Sequence, residues 1–498
     1  MSELTEAAPV TETTGLERLS DQLNPVLVKE VRQAMRGRYF RISFWVTLLG
    51  ATLLGLTILL LMQDEGSDEM GVVFFGILFG FMTLATQVLV PFSAFLSVGS
   101  EWDENTWDLL TLSNLRPRQI VLGKILSAGV QSLLYYSAFS PFLVFAFLLR
   151  GVDAGAMLWV LGMSFVASIL TSSFAAALSS LSGNRFARVL LMVFLASVLV
   201  QSSFGLTAFV VQIVSFPNTL RDPQFLEGTL AALSIGLALS AFFFAGATSR
   251  LAHPEENGST PLRLTVLAIV AVGLAWASFI SMGSGQEEPI VGSAGAALGL
   301  LTVTGLLFTA ERERLGRRVE HALAGRRLRS FLMMPLLPGG ARGLVFFLAS
   351  GALVACWVHL MEAVDPRLSL NAGQRLIPWV LLGFGFIHLG LISGLMSSWS
   401  GQLRGRIVTR AATVVVFLFS LLVPTIVGFL FNIDRWDQFE HPLNVFLTVD
   451  DLWDRKMLDG PETAVLTFGI VLTAVVNAPR LVRMLRETLK VSAGRREA

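Results

Sequence analysis

The sequence predicts an all-α, polytopic membrane protein of about twelve transmembrane helices, and three observations carry that expectation. Of its 498 residues, 53% are hydrophobic and only 15% charged, whereas a soluble domain carries about 25% charge. Mean hydropathy is +0.67. Twelve apolar stretches are long enough for a bilayer core that takes roughly 20 residues to cross, which leaves no room for a large soluble catalytic domain.

The spans fall at about 42–62, 71–98, 121–149, 156–181, 189–216, 229–249, 264–282, 290–310, 343–361, 376–398, 411–431 and 463–479. Continuous apolar runs exclude barrel strands, which alternate and run about 10 residues. Helices satisfy their own backbone in lipid. The second, third and fifth spans are long enough that they must tilt, kink or emerge.

Residues 1–23 carry Glu3, Glu6, Glu12, Glu17 and Asp21 against Arg18 and no apolar segment. They read as a disordered cytosolic tail rather than a targeting peptide, with the first span as the uncleaved insertion signal. With both termini on one side, that side holds 30 of the 37 basic residues and 17 of the 36 acids. The positive-inside rule makes it cytosolic, so a chain of net charge +1 hides two faces of opposite sign.

Inside the spans the only Lys, Arg, Asp or Glu is Lys124, near an end. Proton- and ion-coupled carriers use ionisable groups at membrane depth, so a secondary transporter is disfavoured. Gln87, Gln131, Gln201, Gln212 and His388 are expected to hydrogen-bond between helices. A lipid-modifying membrane enzyme would cluster carboxylates or histidines, but the histidines (253, 321, 359, 388 and 441) are scattered. The single cysteine, Cys356, excludes an internal disulfide and a multi-cysteine metal site. No cofactor, metal or nucleic-acid partner is expected.

Residues 24–41 predict an amphipathic helix before the first span. Asn24 is a good N-cap and Pro25 suits the first helical position. Leu27, Val31 and Met35 share one face, and Lys29, Arg32 and Arg36 line another. Such a helix lies in the membrane interface, held by apolar burial and anionic headgroups.

Between the second and third spans, residues 100–124 place Glu101, Asp103, Glu104 and Asp108 on an otherwise basic face. The order reads as an acidic helix start, the pair Leu109-Leu110, a turn bounded by Pro117, and a helix restart through Gly123-Lys124. Acids on the face that should be basic point to a protein partner rather than to lipid.

The helix NPVLVKEVRQAMRGRYF, followed by Glu101, Thr106, Leu109, Leu110, Pro117, Gly123 and Lys124, resembles the membrane subunit of type-2 (ABC-2) ATP-binding-cassette transporters over roughly residues 24–249. Trp102 and Asn105 depart from the family pattern, which favours a basic residue and a glycine there. The resemblance implies that Asn24, Pro25, Lys29, Arg32 and Arg36 belong to a membrane-parallel elbow. It implies that Glu101, Glu104, Thr106, Leu109, Leu110, Pro117 and Lys124 couple to a separate ATPase. It also implies a permease of the bacterial inner membrane that works as an exporter. A non-transporting polytopic anchor on the same scaffold is the rival. The only Gly-Lys pair, Gly123-Lys124, is followed by Ile125. A phosphate-binding loop needs Ser or Thr there, so the chain is expected not to be an enzyme by itself.

The domain reading is a tail at 1–23, a six-helix membrane domain at 24–249, a second six-helix region at 250–479 and a basic cytosolic tail at 480–498. The halves read as degenerate repeats. Ser180-Leu181-Ser182-Gly183 closes the fourth span and Ser398-Trp399-Ser400-Gly401 the tenth, following Pro117 and Pro338 by 63 and 60 residues. Transporters commonly arise by such duplication. In the second half, 311–342 carries eight arginines, with Leu315, Val319, Ala322 and Leu323 on one face, and reads as an interfacial helix on anionic lipid. The eight acids of 432–462, among them Asp450, Asp451 and Asp454, lack EF-hand spacing and read as a solvated outer loop. The coupling motif occurs once per chain. Since ATPases work in pairs, two-fold symmetry implies a homodimer of permeases with two ATPase subunits.

Overall fold

The computed structural model describes residues 24–61, 70–103, 116–148, 152–181, 185–215, 220–253, 256–325, 327–397, 403–431, 444–454, 458 and 460–493. No strand occurs among them. Among the described residues twelve helices are long and apolar enough to cross a membrane. The protein is therefore an all-α, multi-pass membrane protein. The chain divides into two units, Met1–Leu251 and Ala252–Ala498.

In the first unit α1 (Pro25–Arg36) precedes the first span, α2 (Arg38–Leu61). Asn24 caps α1 by accepting from the Val26 amide at 3.0 Å. The second span is built from α3 (Met70–Thr83), a π turn (Leu84–Leu89) and α4 (Val90–Asp103). A π turn inserts one residue into the helix and commonly marks a functional site. Four long helices follow: α5 (Pro117–Leu148), α6 (Ala154–Ser180), α7 (Arg185–Ser215) and α8 (Pro223–Leu251).

The second unit has α9 (Ser259–Ser284) and α10 (Glu288–Phe308) as its first two spans. Two short helices, α11 (Arg317–Leu323) and α12 (Arg327–Leu332), lead to the third and fourth spans, α13 (Gly340–Val364) and α14 (Ala372–Leu395). Then come α15 (Leu403–Phe431), the short α16 (Val445–Asp454) and the last span, α17 (Gly460–Ser492).

The helix neighbours are the same in both units. The second span packs on the first, third, fourth and fifth; the fourth packs on the second, third, fifth and sixth; the third also meets the sixth. The fourth span is central in each case, and small residues let its neighbours approach, as helix association in lipid requires. Along α6 these are Ser164, Ser168, Ser172, Ala175, Ala176 and Ser179. Along α14 they are Gly383, Gly385, Gly390 and Ser393. A Cβ on Gly385 would collide with the Phe347 ring, and one on Gly390 with Thr473. The core of the first unit is aromatic, with Phe75, Phe79, Tyr135 and Phe139 all buried.

The intramembrane amides form interhelical hydrogen bonds in two cases. Gln87, in the π turn, donates to the Ser164 carbonyl at 2.8 Å and accepts from Thr171 at 3.1 Å. Gln131 accepts from Ser93 at 3.2 Å. His388 pairs with Ser420 on the next span at 3.0 Å. Gln201 bonds within its own helix, to Ser197, and Gln212 is exposed.

Three expectations are corrected. Residues 311–342 do not form one lipid-facing helix: Leu315, Val319 and Leu323 are buried against Leu337, with Met333 and Val491 beside them, and Ala322 is exposed. The apolar face found in the sequence is real, but its partner is protein. Residues 480–492 are not a tail, because α17 continues through them and Arg480 is buried. Ionisable residues do occur within the spanning helices: α9, α13 and α17 extend past their apolar stretches and enclose Arg263, Arg342 and Arg480.

Candidate functional site

The elbow is docked by a polar node at the roots of the connection between the second and third spans. The Lys124 ammonium donates to Glu30 Oε1 at 3.0 Å, to Ser97 Oγ at 2.7 Å and to the Ser97 carbonyl at 3.1 Å. The Ser97 hydroxyl donates in turn to Glu30 Oε2 at 2.9 Å. An ammonium has three N–H donors, so this lysine is fully satisfied. It is also buried, at 3% exposure, with Glu30 at 8%. An unpaired buried charge would cost several kcal/mol; the closed triangle is what permits a lysine here.

Two further contacts fix the same junction. The Asn24 side chain donates to the Gln119 carbonyl at 2.6 Å. A Cβ on Gly123 would lie 2.8 Å from Val26 Cβ and 3.0 Å from the Leu27 amide nitrogen. Glycine at 123 is thus what lets α1 lie directly on α5.

The node sits next to the segment expected to couple. Ser97 stands one turn before Glu101 on α4, and Lys124 lies two turns beyond Pro117 on α5. At 1.5 Å per residue, each root is about 10 Å or less from the node. A displacement of the connection would therefore bear on three helices tied at one point.

The expected site residues divide cleanly. Asn24, Gly123 and Lys124 are brought together at the elbow, and Pro25 and Pro117 open the two helices that meet there. Arg32 and Arg36 are exposed on α1; Lys29 is exposed too, but its ammonium lies 3.9 Å from Glu30 Oε1. Glu101 lies in the last turn of α4 rather than at a helix start, a correction to the reading of that segment. Glu104, Thr106, Leu109 and Leu110 lie outside the described residues. On α1 the face docked on protein is Val26 and Glu30, not Leu27, Val31 and Met35. Sequence reasoning missed Glu30 and Ser97. The available signal was a lone acid on a basic helix and a lone lysine in an apolar one.

The second unit treats the same connection differently. Arg263, Arg342 and Arg480 are 0%, 0% and 3% exposed. Arg263 pairs with Glu311 at 2.7 Å and donates to the carbonyls of Pro335 and Leu337 at 2.7 and 2.5 Å. Arg342 pairs with Glu487 at 2.9 Å and donates to the Glu313 and Pro338 carbonyls. Arg480 pairs with Glu313 and donates to the Thr309 carbonyl at 2.9 Å. Glu311 and Glu313 also accept from the amides of Gly339 and Ala341. The turn is completed by Gly339 at φ +134°, a conformation essentially reserved for glycine. These arginines strap the 309–339 connection to α9, α13 and α17.

No protein-family model matches the chain, and neither a curated protein nor a solved structure matches it. What the fold defines is the class: a multi-pass, all-α membrane protein.

Proposed function

We propose that the chain is the membrane-spanning permease of an ABC-2-type transporter, an exporter of the bacterial inner membrane with both termini cytosolic, driven by a separate ATPase chain. The observation that carries this reading is the Glu30–Ser97–Lys124 node. It joins a pre-span elbow to both roots of the acidic connection where the resemblance expects an ATPase to dock. In this mechanism nucleotide binding closes a pair of ATPases. The connection moves with them, and the node passes the motion to α1, α4 and α5. The membrane units then exchange inward- and outward-accessible states. Two permeases and two ATPases make the complete assembly, because the strapped second unit offers no equivalent acidic connection.

The test is purification of the full chain from native membranes, identification of an ATP-binding-cassette ATPase in the complex, and assay of its ATP hydrolysis. Glu101→Lys with Glu104→Lys is expected to leave insertion intact and remove the ATPase. Unchanged association and unchanged transport would overturn the docking assignment. A complex that binds an ATPase but moves nothing would favour the non-transporting anchor. For topology, a cysteine at Asp450 should label from outside intact cells and one at Arg317 should not; labelling of both from one side would contradict the orientation.

A further inference from the structure

We infer that the groove between α2 and the π turn of the second span is a binding site for one anionic glycerophospholipid, with an acyl chain in the groove and the phosphate held by Arg38. The groove has a volume of about 390 Å³, within the range of small-ligand sites. Tyr39, Ile42 and Val46 line one wall and Phe81, Leu84 and Leu89 the other. In a π turn, residues five apart face the same side, which aims Leu84 and Leu89 together at the groove.

The polar groups in the walls are already engaged. The Ser43 hydroxyl donates to the Phe40 carbonyl at 3.0 Å and sits 3.0 Å from the Tyr135 hydroxyl. Thr47 donates to the Ser43 carbonyl at 2.6 Å. The walls therefore ask for an apolar occupant.

Length selects an acyl chain over a helix. From Arg38 to Thr47 is about 14 Å along α2, close to half of a ~30 Å hydrocarbon core. A transmembrane partner would need the full thickness. Charge then selects the headgroup. Arg38 stands one turn before Ile42, at the edge of the face that lines the groove. It is exposed, and among the described residues it has no carboxylate partner. A guanidinium one turn beyond an apolar slot one leaflet deep matches a phosphodiester carrying an acyl chain.

The test is native mass spectrometry of the detergent-purified full chain titrated with dioleoyl phosphatidylglycerol or dioleoyl phosphatidylcholine. One phosphatidylglycerol per chain is expected to be retained about tenfold more tightly than phosphatidylcholine. Arg38→Gln should erase that preference, and Val46→Trp should weaken retention of both lipids. Arg41→Gln, on the far side of α2 from the groove, should leave the preference unchanged. Equal retention of the two lipids by the wild-type chain would overturn the site. Independently of how the variants fold, a phosphatidylglycerol with a photoactivatable acyl chain should crosslink to residues 39–47 or 81–89. Labelling concentrated elsewhere would overturn the assignment.

Discussion

The two units share one helix-packing pattern and differ in what they do with charge where their second and third spans are joined. In the first unit the described residues bury a single lysine, and its node joins three helices: Lys124 on α5, Ser97 on α4 and Glu30 on the elbow. In the second, three buried arginines hold the connection through its own backbone carbonyls and three glutamates. One arrangement ties the elbow to two spans at a point; the other fixes a whole segment along its length.

The comparison predicts that charge removal has different consequences in the two units. Arg342→Met leaves Glu487 without its partner and frees two carbonyls. Breaking a buried ion pair from one side costs about 3–5 kcal/mol, so thermal unfolding in detergent should drop sharply. Lys124→Met leaves the more deeply buried Glu30 unpaired, so it should cost a comparable amount, about 3–5 kcal/mol, while also abolishing ATP-driven transport. Adding Glu30→Leu should recover much of that stability without restoring transport. If the double variant transports normally, the node is structural and the contrast between the units fails.

Packing at the elbow offers a smaller, independent perturbation. Gly123→Val must displace Val26 or the elbow backbone, and overpacking of this kind costs about 1–3 kcal/mol. A reporter cysteine at position 26, buried in the wild-type chain, should become reactive to a thiol probe in the Gly123→Val background. Unchanged protection would mean that the elbow is held elsewhere.

The smallest effect is expected at the connection after α13, where Arg367 donates to the Asp365 carboxylate through side chain and backbone. These bonds hold the Asp365 carboxyl below the ordinary carboxylate range. A pKa depressed in the folded state adds stability at neutral pH, which is lost as pH falls through the usual aspartate value of about 3.9 and below. The unfolding midpoints of wild type and Asp365→Asn should therefore differ slightly at pH 7 and converge in acid. A gap that widens on acidification would contradict the sign.

Much of the fold was legible because lipid imposes a length and a composition that the sequence must display. Twelve apolar runs became twelve candidate spanning helices, and Asn24-Pro25 marked the start of the elbow at its first residue. The charge clusters were not legible. Arg263, Arg342 and Arg480 sit beyond the apolar runs, where basic residues are expected for topological reasons, so nothing in their spacing distinguishes a surface arginine from a buried one. Their partners Glu311, Glu313 and Glu487 are distant in sequence and meet them only through tertiary packing. Glu30 was hidden by the opposite effect: the strongest apolar stripe on α1 is Leu27, Val31 and Met35, whereas the face buried on protein is Val26 and Glu30.

The most direct test of the central claim compares the two connections within one chain. A photo-crosslinking amino acid is placed at Leu109 in the first unit or at Arg329 in the second, in the full chain assembled in native membranes. A covalent adduct with an ATP-binding-cassette ATPase from position 109 and none from 329 is the predicted result. An adduct from 329 alone, or from both positions equally, would contradict the assignment of coupling to the first unit.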